Sequence, residues 1–127
     1  MTLTFNSLEK STFVRSDAQV DRARRTLEGA GIPYNVLDER LAMSSSAASI
    51  STMHLAKGLE FRTVAVLGCD DDIIPLRERI ETIGDDADLE EVYASERHLL
   101  YVACTRARDH LFVSGATPGS EFLEDFG

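Results

Sequence analysis

The chain has 127 residues, of which 43% are hydrophobic and 28% charged. That is the composition of one globular domain with enough apolar material for its own core, and it excludes a wholly disordered chain or one that needs disulfides or metal to fold. The net charge of −9 is uneven, with 8 Lys and Arg against 7 Asp and Glu in residues 1–64 but 5 against 15 in residues 65–127, so indiscriminate nucleic-acid binding is disfavoured while a local basic groove on the first half is not.

In chain order, residues 11–14 (STFV) read as a short strand. Ser16 and Gln19 have capping-box spacing. Val20, Ala23, Leu27 and Ala30 then mark one face of a helix, which Gly31 ends and Pro33 prevents from resuming. Residues 34–37 (YNVL) form a second strand, giving the strand–helix–strand unit of a parallel sheet. Residues 42–49 (AMSSSAAS) are small and polar, too poor in apolar groups to build a core, and are expected to be a flexible connector. Ile50 and Met53 lie in a third strand, and residues 54–61 (HLAKGLEF) form a loop or helical turn around Gly58. Residues 63–67 (TVAVL) are a continuous apolar run, as in a strand covered on both faces, and Gly68 ends it. Residues 69–81 are an acidic loop and residues 83–87 a turn. A long helix follows, capped by Asp88, with Leu89, Val92, Tyr93, Leu99, Leu100, Ala103 and Ala107 at helical spacing. Residues 110–114 are a last apolar strand and residues 121–126 a short helix. No apolar run approaches the roughly 18 residues of a membrane span, and the first ten residues do not read as a signal peptide. Cys69 and Cys104, outside any Cys-x-x-Cys pattern and set in apolar segments, read as buried small hydrophobes of a reducing compartment, so a cytoplasmic protein without membrane contact is expected.

Autonomous chemistry lacks visible equipment. There is no Gly–Lys–Ser/Thr, no Gly-x-Gly-x-x-Gly, no His-Glu-x-x-His and no Gly-x-Ser-x-Gly, and His54, His98 and His110 have no metal spacing. Two segments nevertheless concentrate polar groups. Residues 51–61 place a hydroxyl, an imidazole, an ammonium and a carboxylate in a Gly-containing turn beside a buried strand, where α/β sheets bind ligands at the carboxyl ends of their strands. The bland reading is a polar loop with Lys57 solvated. In residues 96–108, Arg106 lies seven positions after Leu99 and three after Ala103, which puts it on the apolar face of the helix. An unpaired guanidinium there is costly. It meets either an internal carboxylate, such as one of Asp70, Asp71 and Asp72, or an anionic ligand such as a transferring phosphate.

These residues carry a resemblance. TMHLAKGLEFRTVAVLG resembles motif V, and ERHLLYVACTRARDHLFV motif VI, of the UvrD/Rep/PcrA group of superfamily I DNA helicases. STFVRSDAQ and LEGAGIPYNVL resemble the later part of the second motor domain of that group. The resemblance spans residues 11–122, with motifs in the family's order and approximate spacing. It implies an α/β fold, a RecA-like parallel sheet flanked by helices, as one 2A-type domain over residues 1–127. It places the connector at residues 42–49 where many members insert a 2B domain. It implies that Arg106 is the catalytic arginine finger reaching the γ-phosphate, that Glu60 contacts the nucleotide sugar beside Gly58, and that Thr52, His54 and Lys57 couple the ATP cleft to single-stranded DNA. ATP would be bound with Mg2+ by a first motor domain carrying the phosphate-binding loop, on the same or another chain. Arg15 matches an arginine of the family pattern, with a structural ion pair as the alternative, and Tyr101 is expected to pack motif VI in place. The function implied is the second motor domain of an ATP-dependent, 3′→5′ DNA helicase of the DNA-repair type. The alternative is a stand-alone, non-catalytic binding or regulatory module derived from a helicase.

Overall fold

The computed structural model describes residues 10–36 and 48–126. Five strands, β1 (Lys10–Val14), β2 (Tyr34–Val36), β3 (Ala48–Thr52), β4 (Phe61–Val66) and β5 (Ala107–Val113), form one sheet in the order β2-β3-β1-β4-β5, and all four ladders are parallel. Three α-helices accompany it: α1 (Val20–Gly29), α2 (Arg77–Glu81) and α3 (Asp86–Thr105). This is the parallel α/β class that strand–helix–strand order predicts and the RecA-like sheet that the resemblance implies.

The alternation of β1 explains the layering, because successive side chains point to opposite faces. Phe13 enters the cluster under α3, with Val64, Val66, Leu100 and Ala103, while Val14 enters the cluster under α1, with Ala23, Leu27 and Ile50. Phe13 meets Phe61 edge to face at 5.8 Å, a pairing worth about 0.5–1.5 kcal/mol beyond the area it buries. At the end of α1, Gly31 adopts φ +72° and Ile32 donates its N–H to the Leu27 carbonyl at 2.9 Å, closing the helix.

Several boundaries differ from the sequence expectation. Ala48 and Ser49, the last two residues of the expected connector, are buried in β3. The Ala48 N–H bonds the carbonyl of Pro33, just before β2, and the Ser49 hydroxyl donates to Ser11 Oγ on β1 at 3.1 Å. Residues 42–47 lie outside the described residues. Asp85, not Asp88, caps α3, its carboxylate accepting the Asp88 N–H at 2.8 Å, so Asp86 and Ala87 are helical rather than part of a turn. The other end of α3 is Thr105, and Ala107 already belongs to β5. The acidic stretch contains α2. Residues 121–126 form 3-10 turns. β5 is an edge strand whose Phe112 is 62% exposed. Among the described residues no helix is long and apolar enough to cross a membrane.

Candidate functional site

After Thr52 the chain is at the carboxyl end of β3 and must reach the amino end of β4, on the far side of β1. It does so in residues 53–60 alone, where parallel crossovers usually take a dozen or more. Met53 and Ala56 anchor this short crossover in the core under α3, and Gly58 turns it with φ +81°, a conformation that side-chain-bearing residues rarely adopt. The candidate residues are therefore divided. Half-buried Thr52 and exposed His54 sit at the carboxyl end of the sheet, whereas exposed Lys57, Gly58 and Glu60 sit at the amino end of β4. The expectation that the whole segment lies at the carboxyl ends of the strands fails for the last three, because the crossover traverses the sheet.

Arg106 also lies at the amino end. It is not on the apolar face of α3 but at its C-cap, where the chain turns into β5 and the Arg106 carbonyl accepts the Phe61 N–H at 2.8 Å. Its half-buried guanidinium donates to three neutral oxygens: Nε to the Val102 carbonyl at 3.1 Å, Nη1 to the Leu59 carbonyl at 3.2 Å and Nη2 to Thr105 Oγ1 at 3.2 Å. The ion pair with the acidic run does not form. Asp70 is bound by Arg22 at 2.6 Å, and that hydrogen bond outweighs burial to hold the Asp70 carboxyl below its usual range, while Asp71 lies 3.8 Å from Arg77. Among the described residues Arg106 has no carboxylate partner. Glu60 is 70% exposed and 4.0 Å from Arg108, and Arg62 contacts Asp109 at 3.0 Å, so this end of the sheet is rich in guanidinium groups.

The carboxyl end holds a second, closed arrangement. Arg15, which follows β1 and is 4% exposed, grips both oxygens of Glu96, Nε to Oε1 at 2.8 Å and Nη2 to Oε2 at 2.6 Å. Glu96 is fully buried on α3 and also accepts the Leu76 N–H at 2.8 Å and Arg79 Nη1 at 2.6 Å. Burial alone would raise this carboxyl, but its bonds to Arg15, the Leu76 N–H and Arg79 override that and hold it below the usual range. The remaining nitrogen of Arg15, Nη1, lies 3.2 Å from Nε2 of His54. The ion-pair reading of Arg15 is thus the one realised. Glu96 and Arg79 were not foreseen. The signal was present: Val92, Glu96, Leu100 and Ala103 share one helical stripe, and an acid in an apolar stripe requires a cationic partner.

Tyr101 does not pack into the core. It is half-exposed and donates its hydroxyl to Asp125 at 2.9 Å, which raises the phenol above its ordinary value. Cys69 and Cys104 are buried free thiols pushed by burial up to about 12 and about 11, so neither supplies a thiolate nucleophile. Among the described residues no three His, Cys, Asp or Glu side chains converge as a metal site.

Comparison with known proteins identifies the family. The family model of the UvrD-like helicase C-terminal domain matches residues 35–117. The Bacillus subtilis (strain 168) protein YjcD, named as an ATP-dependent DNA helicase, is 47% identical over 114 residues, covering 86% of this chain and 14% of its own length. The ATP-dependent DNA helicases UvrD1 of Mycobacterium leprae and PcrA of Staphylococcus epidermidis are 40% and 38% identical over 79 and 82 residues, covering 62% and 65% of this chain. The chain spans only 9–14% of the length of these three relatives. A solved structure described as the C-terminal domain of a possible DNA helicase from Lactobacillus plantarum WCFS1 superposes with a TM-score of 0.62 at 22% identity, covering 90% of this chain and 60% of that one, a likeness of fold. The chain belongs to the UvrD-like helicase C-terminal domain family.

Proposed function

We propose that this chain is the second motor domain of an ATP-dependent DNA helicase, 3′→5′ in direction, which completes an ATP site whose floor lies on a first motor domain. The observation that carries the reading is the state of Arg106. Its guanidinium is oriented by three neutral oxygens and has no carboxylate partner among the described residues, so its geometry is preset while its charge is uncompensated. Such a group suits a γ-phosphate whose negative charge must be balanced during transfer, and the planar fork fits phosphate oxygens. Glu60, at the same end, offers acceptors to the hydroxyls of the nucleotide sugar, and the backbone at Gly58 leaves room beside it. Mg2+ would arrive with the nucleotide on the first motor domain. At the opposite end Thr52 and His54 face single-stranded DNA, with Lys57 further along the same crossover. Because residues 53–60 span the sheet with two buried anchors, the two ends are joined by a short and well-seated segment.

The test is reconstitution. The domain is joined to a first motor domain of a related helicase, and DNA-stimulated ATP hydrolysis is measured. Arg106→Ala is expected to lower the rate about 10³-fold or more. An unchanged rate would remove the arginine-finger assignment, and no DNA stimulation in the parent fusion would remove the motor reading itself.

A further inference from the structure

The contact between Arg15 and His54 fixes more than a position. A guanidinium carries only N–H donors, so the ring nitrogen 3.2 Å from Arg15 Nη1 must accept. That nitrogen is Nε2, which places the ring proton on Nδ1. An Nε2–H ring would set one N–H against another, and a doubly protonated ring would add a cation against a guanidinium. Arg15 cannot turn away to avoid this. Its Nε and Nη2 are clamped to both oxygens of a fully buried carboxylate, which Leu76 and Arg79 hold from the other side. The hydrogen bond made by one imidazole nitrogen decides the state of the other. Here Nδ1 has no partner among the described residues, and the residue is exposed.

We infer that Arg15 and Glu96 are positioning residues that hold His54 as a neutral Nδ1–H ring, so that this end of the crossover offers nucleic acid an uncharged hydrogen-bond donor rather than a cation. The DNA half of this inference rests on the motor reading above; the positioning half does not. The acceptor it suits is an oxygen on the strand, bonded without release of a counterion.

The first measurement is ring ¹⁵N NMR of the chain itself at neutral pH, with His98→Gln and His110→Gln leaving one histidine to observe. The pair of nitrogen shifts reports which atom carries the proton. The expected result is Nδ1–H; the Nε2–H form, favoured by imidazole in water, or a charged ring would overturn the inference. Arg15→Gln is expected to return the ring to Nε2–H. Where that variant does not fold, Arg15→Met with Glu96→Met removes both buried charges together and is expected to do the same, since a buried ion pair can often be exchanged for apolar groups. A ring that stays Nδ1–H in either variant would overturn the role of Arg15.

The second measurement is single-stranded DNA binding across a salt series, in the fusion with a first motor domain. His54→Gln is expected to weaken binding several-fold, up to about tenfold, as loss of one neutral hydrogen bond does, with the salt slope unchanged. His54→Asn, whose amide nitrogen occupies the place of Nδ1, is expected to retain most of the affinity. A slope reduced by about one would make His54 a cationic contact and overturn the inference. Unchanged DNA affinity beside an Nδ1–H ring would overturn the DNA role alone and leave the positioning established.

Discussion

Arg15 and Arg106 stand at opposite ends of the same sheet and are treated in opposite ways. Arg15 is nearly inaccessible and both oxygens of Glu96 neutralise it. Arg106 is half-buried and meets only carbonyl and hydroxyl oxygens. Both are anchored, so anchoring does not separate them. The charge of the acceptor does. A guanidinium bound by a buried carboxylate has spent its electrostatics inside the fold, whereas one bound by neutral dipoles is oriented with its charge intact. The first arrangement makes structure and the second leaves a valence open for a ligand. One helix serves both, since α3 carries Glu96 in its buried stripe and Arg106 at its C-cap.

The largest expected effect tests the open side. In the reconstituted motor, Arg106→Ala is expected to lower the rate of DNA-stimulated hydrolysis about 10³-fold, equivalent to about 4 kcal/mol of barrier. Stability of the isolated domain is expected to change by only about 1 kcal/mol, because the lost bonds are to neutral acceptors. Arg106→Lys keeps the charge but not the fork, and is expected to recover little of the rate. A variant that unfolds the domain instead would mean that Arg106 belongs with Arg15 and that the contrast fails.

The next effect tests the closed side. Glu96→Gln leaves Arg15 buried beside a neutral amide, and breaking one partner of such a pair costs about 3–5 kcal/mol. Against the roughly 5–15 kcal/mol that holds most domains folded, this is a large share. Chemical denaturation of the chain checks it. A loss within about 0.5 kcal/mol would show that solvent reaches Arg15, and the pair would then rank with the surface contacts.

These two arginines also show what the sequence could and could not reveal. The buried faces of the helices were legible, because helical spacing in α1 and α3 reports which side of each is covered, whereas β1 is buried on both faces and its four residues show no alternation to read. The class of sheet followed from strand–helix–strand order. The surroundings of Arg106 were legible only in part: the spacing continues the helix to Ala107, two residues past its end at Thr105, and places the side chain on its apolar face. What decided its surroundings was the turn at the C-cap and the Phe61 N–H bonded to its carbonyl, a contact 45 positions back in the chain that periodicity does not encode. The same blindness hid the division of residues 52–60 between two ends of the sheet. A run of nine residues looks like one site until the strand order shows that it must cross β1. Glu96, by contrast, is legible in the sequence, since an acid in an apolar stripe is a local anomaly with a local rule.

Acid tests the closed side in another way. Glu96 and Asp70 are both held below their ordinary carboxyl values, 4.5 and 3.8. For Glu96 burial works against ionisation and is overridden by Arg15, the Leu76 N–H and Arg79; for Asp70 the bond to Arg22 leads. A carboxyl depressed in the folded state stabilises the fold above its unfolded value, and that stabilisation is lost as pH falls through the lower folded value. The domain is therefore expected to keep its full stability near neutrality and to lose it progressively below about pH 4–5, the range of ordinary carboxyl titration. Denaturation midpoints measured across that range check the sign. Glu96→Gln and Asp70→Asn are each expected to flatten the acid limb, and a limb unaltered by either would remove the carboxylate cause.

The smallest expected effect sharpens the open side further. Glu60 lies 4.0 Å from Arg108 and both side chains are well exposed. Exposed pairs of this kind contribute about 0–1 kcal/mol, so Glu60→Gln is expected to leave the denaturation curve of the isolated domain within about 0.5 kcal/mol of the parent. If Glu60 serves only the fold, nothing else should change. If it accepts a hydroxyl of the nucleotide sugar, the reconstituted motor should show a raised KM for ATP at nearly unchanged kcat, since a contact made equally in the ground and transition states acts on binding alone. Gln retains an acceptor but not the charge, so the rise is expected to be a few-fold, and Glu60→Ala should exceed it. A deoxy nucleotide lacking the bonded hydroxyl should erase the difference between parent and variant, and a difference that persists with that nucleotide would place Glu60 outside the sugar contact.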